Sequence, residues 1–315
     1  MLFHLEPLRF SFLARQPIHF PPGKSANILR GAFGTIFRRI ACPPDCADAH
    51  TCSHHLTCPY ARLFEPTATT HAGPSGLADH PRPFVFRALH LDAQSFASGQ
   101  PFHFDLNLFD THPTAIAYLI LTFAQLASDG LGPQRSRVEL TSVSKRNHLG
   151  TPALTIYQNG VIQNQDDLPP LTLDLSPSTS ERTSHLRLQF ITPTELKSVH
   201  QLAAQPDFAI VATRALVRIS TLRELYSADG PLPIDFRAFA DRAHLVRMTR
   251  CDIHAIDVQR RSSRTGQTHS IGGFVGEAEY EGDLTEFVPY LCAAKWTGIG
   301  RQTVWGKGEI EVSYP

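Results

Sequence analysis

Gly298 to Val312 reads GIGRQTVWGKGEIEV, with glycines at 298, 300, 306 and 308, Arg301 and Lys307 among them, and a short strand from Glu309 to Ser313 at its end. Glycine reaches φ > 0 at little cost and lets backbone approach backbone. The N–H groups of such a loop can therefore converge on an anion such as phosphate while the two cations supply charge. The plainer use of the same residues is a turn that lets a helix pack on the final strand. Just upstream, Gly272 to Tyr280 (GGFVGEAEY) alternates as a strand, and Leu284 to Lys295 carries apolar residues at helical spacing. Strand, helix, glycine loop and strand make one compact C-terminal unit.

Outward from that unit, the same grammar occurs twice. Leu8 to Leu13 (LRFSFL) alternates as a strand. Ser25 to Ile40 places Ile28, Leu29, Ala32, Phe33, Ile36, Phe37 and Ile40 on one helical stripe. Cys42 to Pro83 is rich in Cys, His, Pro, Thr and Gly and reads as an insertion without regular structure. Phe84 to Leu91 and Pro101 to Phe109 alternate as strands, Pro113 to Leu126 reads as a helix, and Arg137 to Lys145 as a further strand. The second copy runs through a strand at His185 to Thr192 and a helix at Ala209 to Tyr226. Strands around His244 to Gln259 and Ile271 to Tyr280 follow, then the helix from Leu284 and the last strand. The order β-α-β-β-α-β is the ferredoxin-like motif. The expectation is an α+β protein of two tandem ferredoxin-like, RRM-like domains. Residues 1–150 form the first, with the Cys/His-rich insertion at 42–83; residues 184–315 form the second, with the glycine loop; a polar, Pro-rich linker spans 151–183.

Composition narrows the function. The chain has 315 residues, 42% hydrophobic and 18% charged, which fits a globular protein. Lys+Arg and Asp+Glu both count 29, so no molecule-wide basic field exists and any nucleic-acid site must be a local patch. The 16 histidines add charge mainly below about pH 6.5. No apolar run approaches the ~20 residues of a membrane span, and Met1 to Glu6 lacks the basic start and apolar core of a secretory signal. A cytoplasmic protein is expected, its six cysteines being thiols or metal ligands and not disulfides.

Three stretches taken together, Asn27 to Gly34 (NILRGAFG), Phe190 to Lys197 (FITPTELK) and the C-terminal glycine loop, resemble the RAMP superfamily of CRISPR-associated proteins. Within it the chain resembles CRISPR-associated protein six, the endoribonuclease that cuts precursor CRISPR RNA in its repeats. The resemblance covers most of the chain and is strongest from about Phe190 to the end. It implies CRISPR repeat RNA as the ligand and an active-site histidine on, or shortly after, the first helix, which selects His50, His54 and His55. Some members carry a tyrosine in that helix, where Leu29 to Gly34 offers none. His19 and Lys24, flanking the helix entry, are the reserve candidates. Metal-free cleavage requires the 2′-hydroxyl to be deprotonated, the phosphorane charge to be stabilised and the leaving 5′-oxygen to be protonated, giving a 2′,3′-cyclic phosphate; histidine and lysine suit those tasks. Each of these histidines has the plain alternative of a surface or capping residue.

Between Arg242 and Arg264 stand six arginines against two acids, a segment charge of +4 in a neutral protein. Arg260, Arg261 and Arg264, at the tip of the expected hairpin, suit bidentate phosphate contacts to an RNA stem, and the resemblance implies that a hairpin of the second domain approaches the repeat. A solvated turn is the alternative. With them, Gly298, Gly300, Arg301, Gly306, Lys307 and Gly308 are the expected RNA-binding residues. Trp296 and Trp305 bracket the loop and are suited to packing or to stacking on a base.

Cys42, Cys46, Cys52 and Cys58, with His50, His54 and His55 interleaved, place four soft ligands within 17 positions. A structural zinc needs only four such groups and would pin an insertion too poor in apolar residues to build a core. The spacing is not the usual C-x2-C pair, and isolated thiols are the alternative. A rival reading of the whole chain is a non-catalytic RAMP subunit of a CRISPR effector complex that binds guide RNA through a zinc knuckle. A zinc-dependent enzyme is a third.

Overall fold

The computed structural model describes the chain except residues 45, 47–50, 56, 67–79, 164–168, 179–181, 199–200, 262–267 and 315; of 198, 260, 261, 268 and 269 only the backbone is described. It divides into two units. The amino-terminal unit comprises His4–Leu171 with Leu225–Ala228, and the carboxy-terminal unit comprises Thr172–Glu224 and Asp229–Pro315 with Met1–Phe3.

The amino-terminal unit runs β1 (Leu2–Ala14), β2 (Ile18–His19), α1 (Ser25–Ala41), α2 (Pro59–Leu63), β3 (Phe84–Arg87), β4 (Ser95–Phe96), β5 (Pro101–Leu108), α3 (Ala115–Asp129), β6 (Val138–Arg146), β7 (Pro152–Gln158) and β8 (Val161–Ile162). Its main sheet is antiparallel, in the order β3-β5-β1-β6-β7-β8. Alternation decides the faces: Leu8, Phe10 and Phe12 of β1 pair in register with Leu106, Phe104 and Phe102 of β5. The helices supply the facing layer. Phe33 of α1 stacks on Phe123 of α3 with ring centroids 5.4 Å apart, and Phe10 meets the same Phe123 ring at 4.7 Å. Each of these buried rings contributes about 1.5–3 kcal/mol by leaving water, so α1 is held by its Leu29, Phe33 and Phe37 stripe.

In the carboxy-terminal unit, β9 (Leu171–Asp174) leads to β10 (His185–Thr194), the ribbon β11 (Lys197–Ser198) and β12 (Gln201–Leu202), α4 (Phe208–Tyr226) and α5 (Phe236–Ala243). Next come β13 (Arg247–Ile256), the hairpin β14 (Gln259–Arg261) and β15 (Thr268–Ser270), β16 (Gly273–Glu281), α6 (Val288–Thr297) and β17 (Ile310–Ser313). The four-stranded sheet is antiparallel, ordered β13-β16-β10-β17. Leu186 and Leu188 of β10 face Tyr280 and Ala278 of β16, all buried, and Phe190 meets the Phe274 ring at 5.0 Å. The six principal elements of each unit follow β-α-β-β-α-β with the two central strands adjacent, the ferredoxin-like arrangement.

Four expectations are corrected. The insertion at 42–83 is not wholly irregular: Pro59 starts the short helix α2, whose Tyr60 and following Phe64 pack on α1. Residues 151–183 are not simply a linker, because β7 and β8 extend the first sheet by pairing from β6. The strand at Phe84 ends at Arg87 and passes into a 3-10 turn at Leu89–Leu91. Helix α5 was not anticipated, although Asp235 caps it by accepting from the N–H groups of Arg237 and Ala238 at 2.9 and 3.0 Å. Among the described residues no helix is long and apolar enough to cross a membrane.

Candidate nucleic-acid interface

The glycine loop joins α6 to β17. Gly298, Gly300, Gly306 and Gly308 all have φ between 67° and 75°. At Gly308 an added Cβ would lie 1.9 Å from the Ile299 carbonyl oxygen, and at Gly300 it would lie 2.4 Å from that of Glu195. These are contacts of protein with protein. The N–H of Ile299 donates to Gly308 O at 2.9 Å, that of Arg301 to Glu195 O at 3.0 Å, and that of Gly308 to Pro193 O at 3.2 Å. The glycines therefore let the loop dock against the end of β10, inside the segment Phe190 to Lys197. Arg301 is exposed and ion-paired with Glu195. Lys307 is buried, and Trp296 and Trp305 are half-buried.

The arginine-rich segment is less basic in space than along the chain. Arg242 bridges Glu286 at 2.8 Å, Arg247 bridges Glu281 at 2.8 Å, and Arg250 lies 3.5 Å from Glu279 and 3.6 Å from Glu277. The compensating carboxylates come from β16 and the turn before α6. A count confined to 242–264 misses them. Arg260 and Arg261 lie on β14, where Arg260 pairs with His269 of β15. Their side chains, and Arg264, lie outside the described residues.

At the other candidate centre, the fold joins the start of the cysteine segment to the end of α1. Cys42 caps the helix, its N–H donating to Arg38 O at 2.9 Å, and Pro43 and Pro44 prevent continuation. Arg38 donates to Cys46 O at 3.0 Å. His50 lies outside the described residues. His54 is exposed and His55 half-buried. The His55 Nδ1 lies 3.1 Å from Cys52 O. A carbonyl only accepts, so Nδ1 donates this hydrogen bond, and Nε2 is the ring nitrogen left to meet other groups. His19 is exposed on β2 with Nδ1 2.9 Å from Ser95 Oγ, and Lys24 is exposed just before α1. Beside Lys24, Asp92 accepts from Ser25 N and Oγ at 3.0 and 2.5 Å, closing the first turn of α1.

All six cysteines are free thiols, half-buried. Cys42 hydrogen-bonds with Cys46 and Cys58, and Cys46 with Cys52; burial, and then the neighbouring Cys58 and Cys46 thiols, push Cys42 up to about 12. Cys251 and Cys292 stand apart from this group, on β13 and α6.

One titratable cluster escaped the sequence reading. His90 donates from Nε2 to the His103 carbonyl at 2.8 Å, and the two rings stack at 4.6 Å. On the same strand as His103, Asp105 takes both Arg9, at 2.7 and 2.9 Å, and Arg146, at 3.0 Å. Burial, with Arg9 and His90 close by, lowers the His103 pKa. The signal was present in Pro101 to Leu108 (PFHFDLNL), where His103, Asp105 and Asn107 alternate with buried apolar residues and so must share the sheet's second face.

Comparison with known proteins agrees with this anatomy. Residues 3–168 match a family model for an N-terminal domain, AF_1859_N, and residues 188–310 match the model described as CRISPR-associated endoribonuclease Cas6. A Cas6 product complex is similar at a TM-score of 0.58 and 16% identity, covering 98% of this chain and 100% of that one. Thermus thermophilus Cas6 gives 0.52 and 14%, with 98% of each chain covered. A partial Cas6-RT-Cas1–Cas2 complex gives 0.56 and 10%, covering 99% of this chain and 46% of that one. At such identities the likeness is one of fold. No curated protein matches. Over residues 188–310 the chain therefore carries a domain that matches the CRISPR-associated endoribonuclease Cas6 family, preceded by a domain that matches a separate N-terminal model.

Proposed function

We propose that the protein binds CRISPR repeat RNA and cuts precursor CRISPR RNA once in each repeat by metal-independent general acid–base catalysis. The observation that carries the reading is the match of residues 188–310 to the Cas6 endoribonuclease model. In the proposed reaction a base takes the 2′-hydroxyl proton, the 2′-oxygen bonds to the adjacent phosphorus, and the bond from phosphorus to the 5′-oxygen breaks as an acid protonates that oxygen. A 2′,3′-cyclic phosphate and a 5′-hydroxyl result. His55 suits the base, because its Nδ1 proton is committed to Cys52 O. His50 or His54 then supplies the proton to the leaving oxygen.

RNA binding is assigned to the hairpin tip of Arg260, Arg261 and Arg264 and to the glycine loop, with Gly298, Gly300, Gly306 and Gly308 shaping it and Arg301 as its exposed cation; Lys307, expected beside it, is buried. Because Arg301 already holds Glu195, it reaches a phosphate only by exchanging that partner. Partners among other CRISPR subunits belong to the same proposal.

The test is cleavage of a labelled repeat in excess EDTA. Wild type should cut, and His55→Ala should lose about 10²-fold or more in rate with RNA affinity kept. Binding without cleavage by wild type would establish the non-catalytic subunit instead. Normal cutting by the His50, His54 and His55 variants would move the chemistry to His19 and Lys24.

A further inference from the structure

The segment from Cys42 to Cys58 has a packing problem. Apart from its cysteines and prolines it contains only Ala47, Ala49 and Leu56 as apolar residues, too few to bury a core against the entropy of ordering the chain. Its two ends are nevertheless rigid. Cys42 closes α1 and Cys58 opens α2, with the Cys58 N–H donating to His54 O at 2.9 Å. Helix α2 is fixed on α1, because Tyr60 meets the Phe37 ring at 5.7 Å and Phe64 meets Phe33 at 5.6 Å under the guanidinium of Arg30. Between these anchors the thiols are neighbours, Cys42 of both Cys58 and Cys46, and Cys46 of Cys52.

We propose that Cys42, Cys46, Cys52 and Cys58 form a structural zinc site that holds this segment where an apolar core would otherwise be needed. Four thiolates are a soft donor set, which selects zinc over magnesium or calcium, and a tetrahedral site needs no further ligand. Two ligands sit at helix ends and two on the loop, so one ion would tie the loop to the α1–α2 pair. On binding, each thiol gives up its proton to solvent and the ion replaces four protons. The resulting site carries a net charge of −2, and the Arg38 guanidinium on Cys46 O lies beside it to offset that charge. Among the described residues no three Cys, His, Asp or Glu groups already stand in a coordination geometry. His54 and His55 are not needed as ligands, so this site is separate from the proposed chemistry.

Metal analysis of the full chain, purified under reductant without added metal or histidine tag, is the test. About one equivalent of zinc is expected. Cys42→Ser with Cys58→Ser should lose it, whereas Cys251→Ser with Cys292→Ser should keep it. Cobalt substituted for zinc should show the intense thiolate-to-metal charge-transfer absorption of a sulfur-rich tetrahedral site. Should the double variant fail to fold, Cys46→Ser alone should lower zinc affinity at least ~10-fold, as loss of one ligand requires. Wild-type protein that contains no zinc and takes up none when zinc chloride is added under reductant would overturn the site. So would full zinc content in the Cys42→Ser, Cys58→Ser protein.

Discussion

The glycine loop at 298–308 and the cysteine segment at 42–58 both follow a helix, and they are held in opposite ways. The glycine loop is fastened by main-chain hydrogen bonds to β10 and to itself, with its glycines where carbonyl oxygens come closest. The cysteine segment begins and ends at helix termini with little apolar content between them, and its half-buried thiols neighbour one another. The first is a product of backbone geometry and tolerates no side chain at Gly300 or Gly308. The second depends on side-chain chemistry. Glycine and cysteine clusters that look equally suggestive in a sequence thus carry different physical claims.

The largest effect should come from the attempt to break the first half of that contrast. Gly308→Val forces a β-branched residue to φ +67° with its Cβ 1.9 Å from a carbonyl oxygen, so destabilisation beyond about 4 kcal/mol is expected. Gly31→Ala is the control. It lies in α1 with nothing within 4 Å of the new methyl, and should gain about 0.5–1 kcal/mol. Urea unfolding of both variants decides it; a Gly308→Val protein as stable as wild type would mean that the loop is not packed as described.

Next in size is the anchor of the cysteine segment. At Gly34 an added Cβ would be 2.0 Å from the Phe64 ring, which shows how closely that ring presses on α1. Phe64→Ala should cost about 2–4 kcal/mol and speed proteolysis within 42–58. Equal proteolysis of variant and wild type would locate the segment's hold elsewhere.

The smallest effect comes from a group in the same unit that depends on neither device. Burial lowers the His103 pKa below its ordinary 6.5. The unfolded chain then takes up a proton as pH falls through 6.5 while the folded one does not. The His103 contribution to stability is therefore fully present above about pH 6.5 and is lost as pH falls toward its folded pKa. His103→Gln should flatten the fall in Tm between pH 7 and 5, and an unchanged slope would assign it to other groups.

Much of the fold was legible because alternation and helical stripes are strong in both units. The stripe Leu29, Phe33, Phe37 and the alternation of Leu186, Leu188 and Phe190 report burial directly. What escaped was set by distant partners. Helix α5 depends on a cap at Asp235 within a Pro-rich stretch, and β7 becomes a strand because β6 offers it an edge. The candidate site was legible only as residue types. The charge on Arg242, Arg247 and Arg250 is answered by Glu286, Glu281, Glu277 and Glu279 from other elements, and no local count contains those pairings.

Asp92 gives the start of α1 a meaning beyond its cap. The exposed N–H groups at the start of a helix form a ready receptor for an anion, and this receptor is already filled by a carboxylate belonging to the chain itself. An RNA phosphate arriving at that end would have to evict a tethered competitor whose effective concentration never falls, and would feel its negative charge from the first approach. Asp92 thus works as a built-in plug at the helix entry beside His19 and Lys24. At the opposite end of α1 the charge is answered too, Arg39 by Asp129 and Arg38 by the Cys46 carbonyl.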